Sequence, residues 1–150
     1  MDKLEIKRRL HSEVKKINSR TMHNAYTAME DAQKSAIEYG AARDRYDSYR
    51  AQQMRKKDMF AQQYQKAVEQ EKLLNILLPE ELKDEVEVGS VILLENQNIY
   101  VSIGLGRFQF EGQTWVAISA RVPIFQSLKG LHKGDVLNFR GKQQQVLDVF

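Results

Sequence analysis

Acidic side chains flank Gly40, where Glu38, Asp44 and Asp47 lie within ten positions of the sequence. Carboxylate oxygens suit Mg²⁺, which keeps several waters and takes one or two protein carboxylates. At the end of a thin projection such side chains stay ionised and could be carried to a metal held by another molecule. The alternative is helix capping, because negative charge in the first turns of a following helix is favourable by roughly 0.3–1 kcal/mol. The pattern alone favours capping.

The residues of familiar catalytic sites are absent or scattered. The chain has no cysteine, and its three histidines, His11, His23 and His132, are far apart in sequence. This excludes disulfides and any Cys/His pair, and it predicts no His-rich metal cluster. Gly104-Leu105-Gly106 predicts a tight turn rather than a nucleotide loop, because no helix follows it. We expect no catalytic site of the chain's own, no cofactor, and no metal in the isolated protein.

The elements that must position the acids change in character near Pro79. Before it there is one glycine, Gly40, and after it there are seven glycines and a second proline. Both residue types interrupt helices, so the first half predicts two helices of roughly 50 Å that turn back at Gly40. A helical stripe runs through Leu10, Val14, Ile17, Thr21, Ala25, Ala28, Ala32 and Ala36. A similar stripe follows through Tyr46, Tyr49, Gln53, Phe60, Tyr64, Ala67 and Leu74.

The second half alternates with the period of β-strands. It predicts a short helix over 123–128, with Pro123 in its first turn. Turns are predicted at Asn96-Gln97-Asn98, Glu111-Gly112 and Arg140-Gly141-Lys142. The predicted strands are 88–94, 99–103, 108–110, 114–118, 136–139 and 145–150. The fold class is therefore α+β, with a helical hairpin over 1–78 and a small antiparallel sheet domain over 86–150.

Charge is divided unevenly between the two halves. Residues 1–77 carry 16 Lys and Arg against 11 Asp and Glu, and residues 78–150 carry 7 against 9, which gives the overall net charge of +3. A basic first half suits an anionic partner such as nucleic acid, although a solvated helical surface explains it equally well. Because the start of the sequence and its short apolar runs predict neither a signal peptide nor a membrane span, we expect a cytoplasmic protein.

Short motifs follow one another along the second half. They are Val88-Gly89-Ser90-Val91, Ala117-Ile118-Ser119, Val122-Pro123, Leu128-Lys129-Gly130 and Lys133-Gly134-Asp135-Val136. Behind a helical hairpin, this combination resembles the bacterial Gre transcript-cleavage factors over essentially the whole chain. The resemblance implies an FKBP-like second domain that docks on the rim of the RNA polymerase secondary channel. It implies RNA polymerase as the partner, with the nascent RNA and DNA of the elongation complex nearby.

The resemblance also assigns a role to the acids near Gly40. Gre hairpins present an Asp and, three residues later, a Glu that help to hold a second Mg²⁺ at the polymerase active site. The corresponding positions here are Ala41 and Asp44, and Asp47 matches a further acidic position. Glu38 is a candidate replacement for the missing ligand. Because one acid is lost and two arginines flank Asp44, we expect a factor that modulates elongation with little stimulation of transcript cleavage.

Two further groups of residues follow from the resemblance. Candidates for a basic patch facing the RNA are Arg50, Arg55, Lys56, Lys57, Lys15, Lys16 and Arg20, and such phosphate contacts depend strongly on salt. Candidates for polymerase docking are Ser119, Pro123, Lys129, Gly130, Gly134 and Asp135.

Two alternative hypotheses belong to other classes of protein. One is a prolyl isomerase or chaperone with a helical arm, in which Phe108, Phe110, Trp115 and Phe125 line a peptide pocket rather than simply forming the core. The other is a structural coiled coil that dimerises through one long helix. The position of Gly40 favours a hairpin instead, so we expect a monomer.

Overall fold

A computed structural model of the chain describes residues 2–38 and 44–150, with residues 44–47 described by their backbone. The first half contains the long helices α1 (Lys3–Glu38) and α2 (Asp44–Ile76). They have 36 and 33 residues, so each is roughly 50 Å long at 1.5 Å per residue. Residues 77–150, all of them described, form six strands and one short helix. The predicted α+β fold class is confirmed.

The two long helices lie antiparallel to each other. The Asn18 side chain donates a hydrogen bond to the Ala67 carbonyl at 2.9 Å, and the Tyr26 and Tyr64 ring centroids are 5.5 Å apart. As the residue number rises along α1, the number of its partner on α2 falls. The predicted turn back is therefore confirmed, while Gly40 itself lies outside the described residues.

Most of the predicted stripe residues that the structure describes are buried. Thr21 and Tyr49 are exceptions, because both are exposed. Asn18, three residues before Thr21, is buried instead. The sequence-based assignment of Thr21 to the seam is wrong, and the Asn18 amide accounts for the difference through its bond to a backbone carbonyl. Tyr46 lies outside the described side chains. The predicted residues found buried are Leu10, Val14, Ala25, Ala32, Ala36, Gln53, Ala67 and Leu74.

By its contacts the chain divides into two compact units. The hairpin unit is Lys16–Glu71, and the sheet unit combines Met1–Lys15 with Lys72–Phe150. The first turns of α1 and the last turn of α2 therefore belong to the same unit as the sheet. The sequence-derived boundaries, 1–78 and 86–150, stay a prediction.

The sheet has the order β3-β4-β2-β1-β6-β5. Its strands are β1 (Val91–Leu94), β2 (Asn98–Val101), β3 (Gly106–Phe110), β4 (Gln113–Ile118), β5 (Val136–Phe139) and β6 (Lys142–Val149), with α3 (Pro123–Leu128) between β4 and β5. The helix begins at Pro123 as predicted, because the fixed φ of proline suits the first helical position.

Two features of the sheet correct the sequence-based prediction. First, β2 and β4 pair in parallel, whereas the prediction was an antiparallel sheet. The chain passes from β2 to the edge strand β3 and returns in a hairpin, so β4 enters between them in the direction of β2. Second, the strand predicted from Val88 begins only at Val91. Before it, the Ser90 hydroxyl bonds both the amide and the carbonyl of Glu87, which holds a turn.

The three turns predicted in the sheet each join two antiparallel strands, although Asn98 and Lys142 already belong to β2 and β6. Two of them have backbone angles typical of tight hairpins. Glu111 and Gly112 have φ of 49° and 78°, and Arg140 and Gly141 have φ of 53° and 76°. Two consecutive positive φ values are the geometry that matches the twist of the flanking strands. Glycine adopts positive φ at no steric cost. Because glycine is the second residue of each pair, both turns could be predicted from the sequence.

Apolar side chains on one side of the sheet form a single cluster with α3. Alternate residues of each strand point to the same face, and Ile92, Ile99 and Val101 of the central strands are almost completely buried. The cluster also contains Val86, Leu94, Ile118, Phe125, Leu128, Leu137, Val146 and Val149. It anchors the α3 segment that carries several predicted docking residues.

Two buried serines of the sheet unit predict opposite effects on stability. Ser90 and Ser102 are both 0% exposed, but Ser90 makes two hydrogen bonds, whereas the Ser102 hydroxyl has no partner among the described residues. We expect Ser90→Ala to lower the free energy of unfolding by about 1–2 kcal/mol, and Ser102→Ala to leave it unchanged or raise it. Guanidinium unfolding of both variants measures the difference. Equal losses in the two variants would contradict this interpretation of Ser102.

Candidate functional site

The predicted tip acids lie at the end of α1 and the start of α2. Glu38 is the last residue of α1 and is exposed, and α2 begins at Asp44. The side chains of Asp44 and Asp47 lie outside the described part, as do Ala41 and Arg43. The start of α2 agrees with the capping interpretation. The contact with Mg²⁺ stays a prediction.

The basic residues of α2 do not share one face of the helix. At 3.6 residues per turn, Arg50 and Lys57 lie on one side, while Arg55 and Lys56 point in different directions. Arg50, Arg55 and Lys56 are exposed and Lys57 is half-buried. A single RNA strand could therefore meet only part of this group at once, and its role stays a prediction.

On α1 the basic candidates divide between the two compact units. Lys16 and Arg20 are exposed, belong to the hairpin unit, and are four residues apart on one helical face. Lys15 is half-buried and belongs to the sheet unit. Lys16 and Arg20 thus share one exposed face of α1.

The predicted docking residues lie around α3 and in the loop that follows it. Ser119 precedes the helix, and its hydroxyl accepts a hydrogen bond from the Arg121 amide at 3.3 Å. Pro123 and Lys129, at the two ends of α3, are exposed. Gly130, Gly134 and Asp135 are also exposed. The structure therefore places these residues in neighbouring segments, and their contact with polymerase stays a prediction.

A histidine that lies between two carboxylates organises the loop between α3 and β5. The Asp135 carboxylate accepts a hydrogen bond from the His132 amide at 2.7 Å and lies 3.7 Å from His132 Nδ1. The other ring nitrogen lies 3.6 Å from the Glu85 carboxylate. Because the two ring nitrogens face different carboxylates, the arrangement positions a loop rather than chelating a cation. Among the side chains that the structure describes, no group of three acidic or histidine residues could hold a metal ion.

The sheet unit contains a set of buried polar residues that were not predicted from the sequence. Lys7 is completely buried, and its ammonium donates a hydrogen bond to the Glu81 carbonyl at 2.6 Å. His11 Nδ1 lies 2.7 Å from the Tyr100 hydroxyl, with both residues buried. Lys7 and His11 are four residues apart and interleave with the Leu10 and Val14 stripe. That spacing was the signal that could have identified them.

Burial shifts the pKa of Lys7, His11 and Tyr100 in the direction that favours the neutral form of each side chain. Burial, together with the nearby Lys83, lowers the pKa of Lys7 to about 8. The pKa of His11 is lowered, again mainly by burial, and that of Tyr100 is raised for the same reason. A hydrogen bond with the Leu74 backbone opposes this shift of the His11 pKa. A neutral imidazole has one unprotonated ring nitrogen, so the Tyr100 hydroxyl can donate to Nδ1 of a neutral His11.

The aromatic residues proposed for a prolyl isomerase pocket lie in different places. Phe125 belongs to the cluster around α3. Phe110 and Trp115 meet edge to face, with centroids 6.0 Å apart, and line a different cleft. Phe108 is buried and pairs with Trp115 across the two strands. Only Phe125 therefore lies apart from the other three, and the four residues do not line one pocket.

Comparisons with known proteins find solved structures but no sequence family. The chain is 18% identical to the transcription factor Gfh1, over 90% of this chain and 92% of that one, with a TM-score of 0.37. It is likewise 18% identical to GreA factor homolog 1 (Gfh1) of Thermus thermophilus, over 91% and 94% of the two chains, with a TM-score of 0.34. No family profile and no curated protein match the sequence.

Similarity at this level carries no functional argument for the chain, whose role must be inferred from its own residues. No helix in the described part of the chain is long and apolar enough to cross a membrane.

Proposed function

We propose that this chain is a Gre-like transcription factor. In this proposal its sheet domain binds RNA polymerase, and its hairpin enters the secondary channel to modulate elongation. The chain has no active site of its own and alters what the polymerase does. The sequence motifs from Val88 to Val136 are the reason to choose this class among proteins that contain a helical hairpin.

The observation that carries the proposal is the antiparallel pairing of α1 and α2. Entry of a protein into a narrow channel requires a thin element that is longer than the channel wall is thick. Two helices of 36 and 33 residues, joined side by side through Asn18, Ala67, Tyr26 and Tyr64, meet that requirement. A single helix would bury no stripe and would be marginal in water.

The sheet domain supports the docking part of the proposal. The α3 cluster fixes the backbone beneath Ser119, Pro123 and Lys129, and Asp135 holds the following loop through His132. Exposed residues on a rigid support can bind a partner with little ordering cost. We propose that this surface contacts the rim of the channel and that the basic residues of the helices contact nucleic acid.

The sequence of the tip supports only weak metal recruitment. Two carboxylates normally clamp the ion that activates water in two-metal hydrolysis, and here Ala41 occupies one of the two positions. Arg43 and Arg45 flank Asp44 and oppose a cation. We therefore propose that the polymerase holds its Mg²⁺ largely unaided when this hairpin is inserted, with Asp44, Asp47 and Glu38 adding little.

A pull-down followed by a cleavage assay tests both parts. We expect the tagged chain to retain core RNA polymerase, and Lys129→Glu combined with Pro123→Glu to weaken retention about tenfold or more. On backtracked complexes we expect RNA cleavage close to that of polymerase alone. The double variant Ala41→Asp/Asp44→Glu restores the Gre acid pattern and should increase cleavage.

Three outcomes would contradict this proposal. Failure of the wild-type chain to bind polymerase would remove the proposed function, and proline isomerisation by the same sample would favour the isomerase hypothesis. Strong cleavage that Asp44→Ala abolishes would overturn the part that concerns the tip. The exposed Lys142→Glu is the control for the docking variants, because it makes the same lysine-to-glutamate change on β6, outside the predicted docking residues.

A further inference from the structure

A cleft of about 530 Å³ opens on the sheet unit beside the first turns of α1. Its apolar lining comes from Ile6, Leu93, Phe110, Trp115, Leu147 and Phe150. Leu147 is 48% exposed, which is unusual for a leucine that points into a strand-lined cleft. The volume falls within the range of small-molecule sites, which are mostly apolar with a few polar groups.

The polar groups around this cleft are already paired with one another. Lys3 binds Asp148 at 2.8 Å, and the Asn98 amide donates to Gln113 at 3.3 Å. These pairs border the apolar lining without offering an unsatisfied charge to a ligand. The cleft therefore suits an uncharged aromatic or branched group.

A second cleft of about 500 Å³ adjoins the first, and the two share Phe110 and Glu111. Most of the residues that line it have polar or charged groups, and Arg8, Arg9 and Ser12 can donate hydrogen bonds. The Arg8 guanidinium also lies 3.7 Å from the Glu80 carboxylate. Arg9 Nη1 binds the Glu111 carboxylate at 2.9 Å. This ion pair thus lies where the two clefts meet.

We propose that the two clefts form one binding site for a small amphipathic monoanion. Its aromatic or branched apolar group lies against Trp115, Phe110 and Leu147. Its carboxylate takes the place of Glu111 on Arg9, with Ser12 as a further donor. The ligand therefore lies along α1, from the apolar cleft to the cleft that Arg8 and Arg9 line.

The donor geometry of Arg9 selects this class of ligand. Arginine binds carboxylates through paired, planar N–H donors, and Arg9 already binds the Glu111 carboxylate, so this end suits a carboxylate head. Glu13 also lines this end, which disfavours a dianionic phosphate. The side chains of Arg9 and Glu111 are 50% and 36% exposed, so their mutual bond is screened by water and can be exchanged at little cost to the fold.

Trp115 is the only tryptophan of the chain and lines the apolar cleft, so its fluorescence reports binding directly. The probe is 4-phenylbutyrate, and its neutral counterpart 4-phenylbutanamide is the matched control. For ligands of this size we expect a Kd on the order of 0.1–1 mM for the carboxylate. We expect the amide to bind about fivefold more weakly or worse. Saturable shifts of the Trp115 indole N–H resonance should give the same Kd.

Three variants test the assigned residues, all at exposed positions. Arg9→Gln should weaken the carboxylate about fivefold or more while leaving the amide unchanged. Glu111→Gln removes the competing carboxylate and should tighten binding about threefold. Leu147→Asp should weaken both probes. Arg107→Gln is the matched control, since Arg107 is exposed on β3 and lines neither cleft.

The proposal fails if Trp115 fluorescence does not respond to 4-phenylbutyrate up to its solubility limit. It also fails if the amide binds as well as the carboxylate, or if Arg9→Gln and Arg107→Gln have the same effect. A response that is linear in probe concentration, without saturation, would show collisional quenching and would equally overturn it.

Discussion

The free energy of unfolding of the sheet unit is expected to rise by about 2 kcal/mol between about pH 7 and pH 10. The cause is Lys7, which is completely buried and whose pKa is lowered from 10.5 to about 8. Below pH 8 the folded protein must keep a charged ammonium away from water. As the pH rises the folded form loses that proton before the unfolded form does, so the penalty disappears through this window.

The buried Tyr100 limits the pH up to which the free energy of unfolding rises. Burial raises the pKa of Tyr100, so the unfolded chain ionises this residue before the folded chain does. The stability that Tyr100 contributes is complete below its usual pKa of 10.0 and is lost as the pH rises above it. Stability is therefore expected to reach its maximum near the point where the two effects cross.

Replacement of Lys7 by methionine isolates the first effect. Methionine keeps most of the buried volume, and Glu81 is exposed, so its freed carbonyl can bond water. We expect Lys7→Met to be more stable than wild type at neutral pH and to lack the rise toward pH 10. Guanidinium unfolding followed by Trp115 fluorescence measures this, with the exposed Lys142→Met as control. A flat wild-type profile, or a Lys7→Met variant with an unchanged slope, would contradict the assignment.

Removal of the Tyr100 hydroxyl is expected to cost about 1–3 kcal/mol. Tyr100→Phe keeps the ring and leaves His11 Nδ1 buried without the donor that now lies 2.7 Å away. The double variant His11→Leu/Tyr100→Phe removes both partners and should lose less than the sum of the single changes. This double-mutant cycle separates the bond from packing effects. Additive losses would indicate that the two side chains contribute independently.

Acid should weaken the same contact. Because the pKa of His11 is lowered from 6.5 in the folded protein, the neutral ring is favoured there. The stability it contributes is complete above pH 6.5 and is lost as the pH falls through and below that value. We expect His11→Leu to flatten this acid limb of the unfolding profile. An unchanged acid limb in that variant would assign the loss to other groups.

The helices and most strands were predictable because their signals are local. The stripe of small residues on α1, the single Gly40 and the paired turn residues at Gly112 and Gly141 each act within a few positions. The position of β4 was not predictable in this way. Its parallel pairing with β2 requires β3 to lie at the edge of the sheet. That arrangement depends on contacts between segments that are distant in sequence.

The candidate sites were predictable to different degrees for physical reasons. Motif residues such as Pro123 and Asp135 were identified through the resemblance to Gre factors, and the structure places them on α3 and in the loop that follows it. Lys7 and His11 were missed because charged residues on a helix are normally solvated. The clefts beside α1 were also missed, because Arg9 and Glu111 meet only through the folding of the unit.

Lys3 forms an ion pair with Asp148 at 2.8 Å, and β1 pairs with β6. Both contacts join early and late segments of the chain, which affects folding during synthesis. A nascent chain on the ribosome can pair α1 with α2 soon after residue 76 emerges. Strand β1 must wait for β6, which begins only at residue 142, and until then it presents an unpaired edge to other chains. Ribosome stalling or premature termination before residue 142 would thus release a polypeptide with a formed hairpin and an open, aggregation-prone sheet.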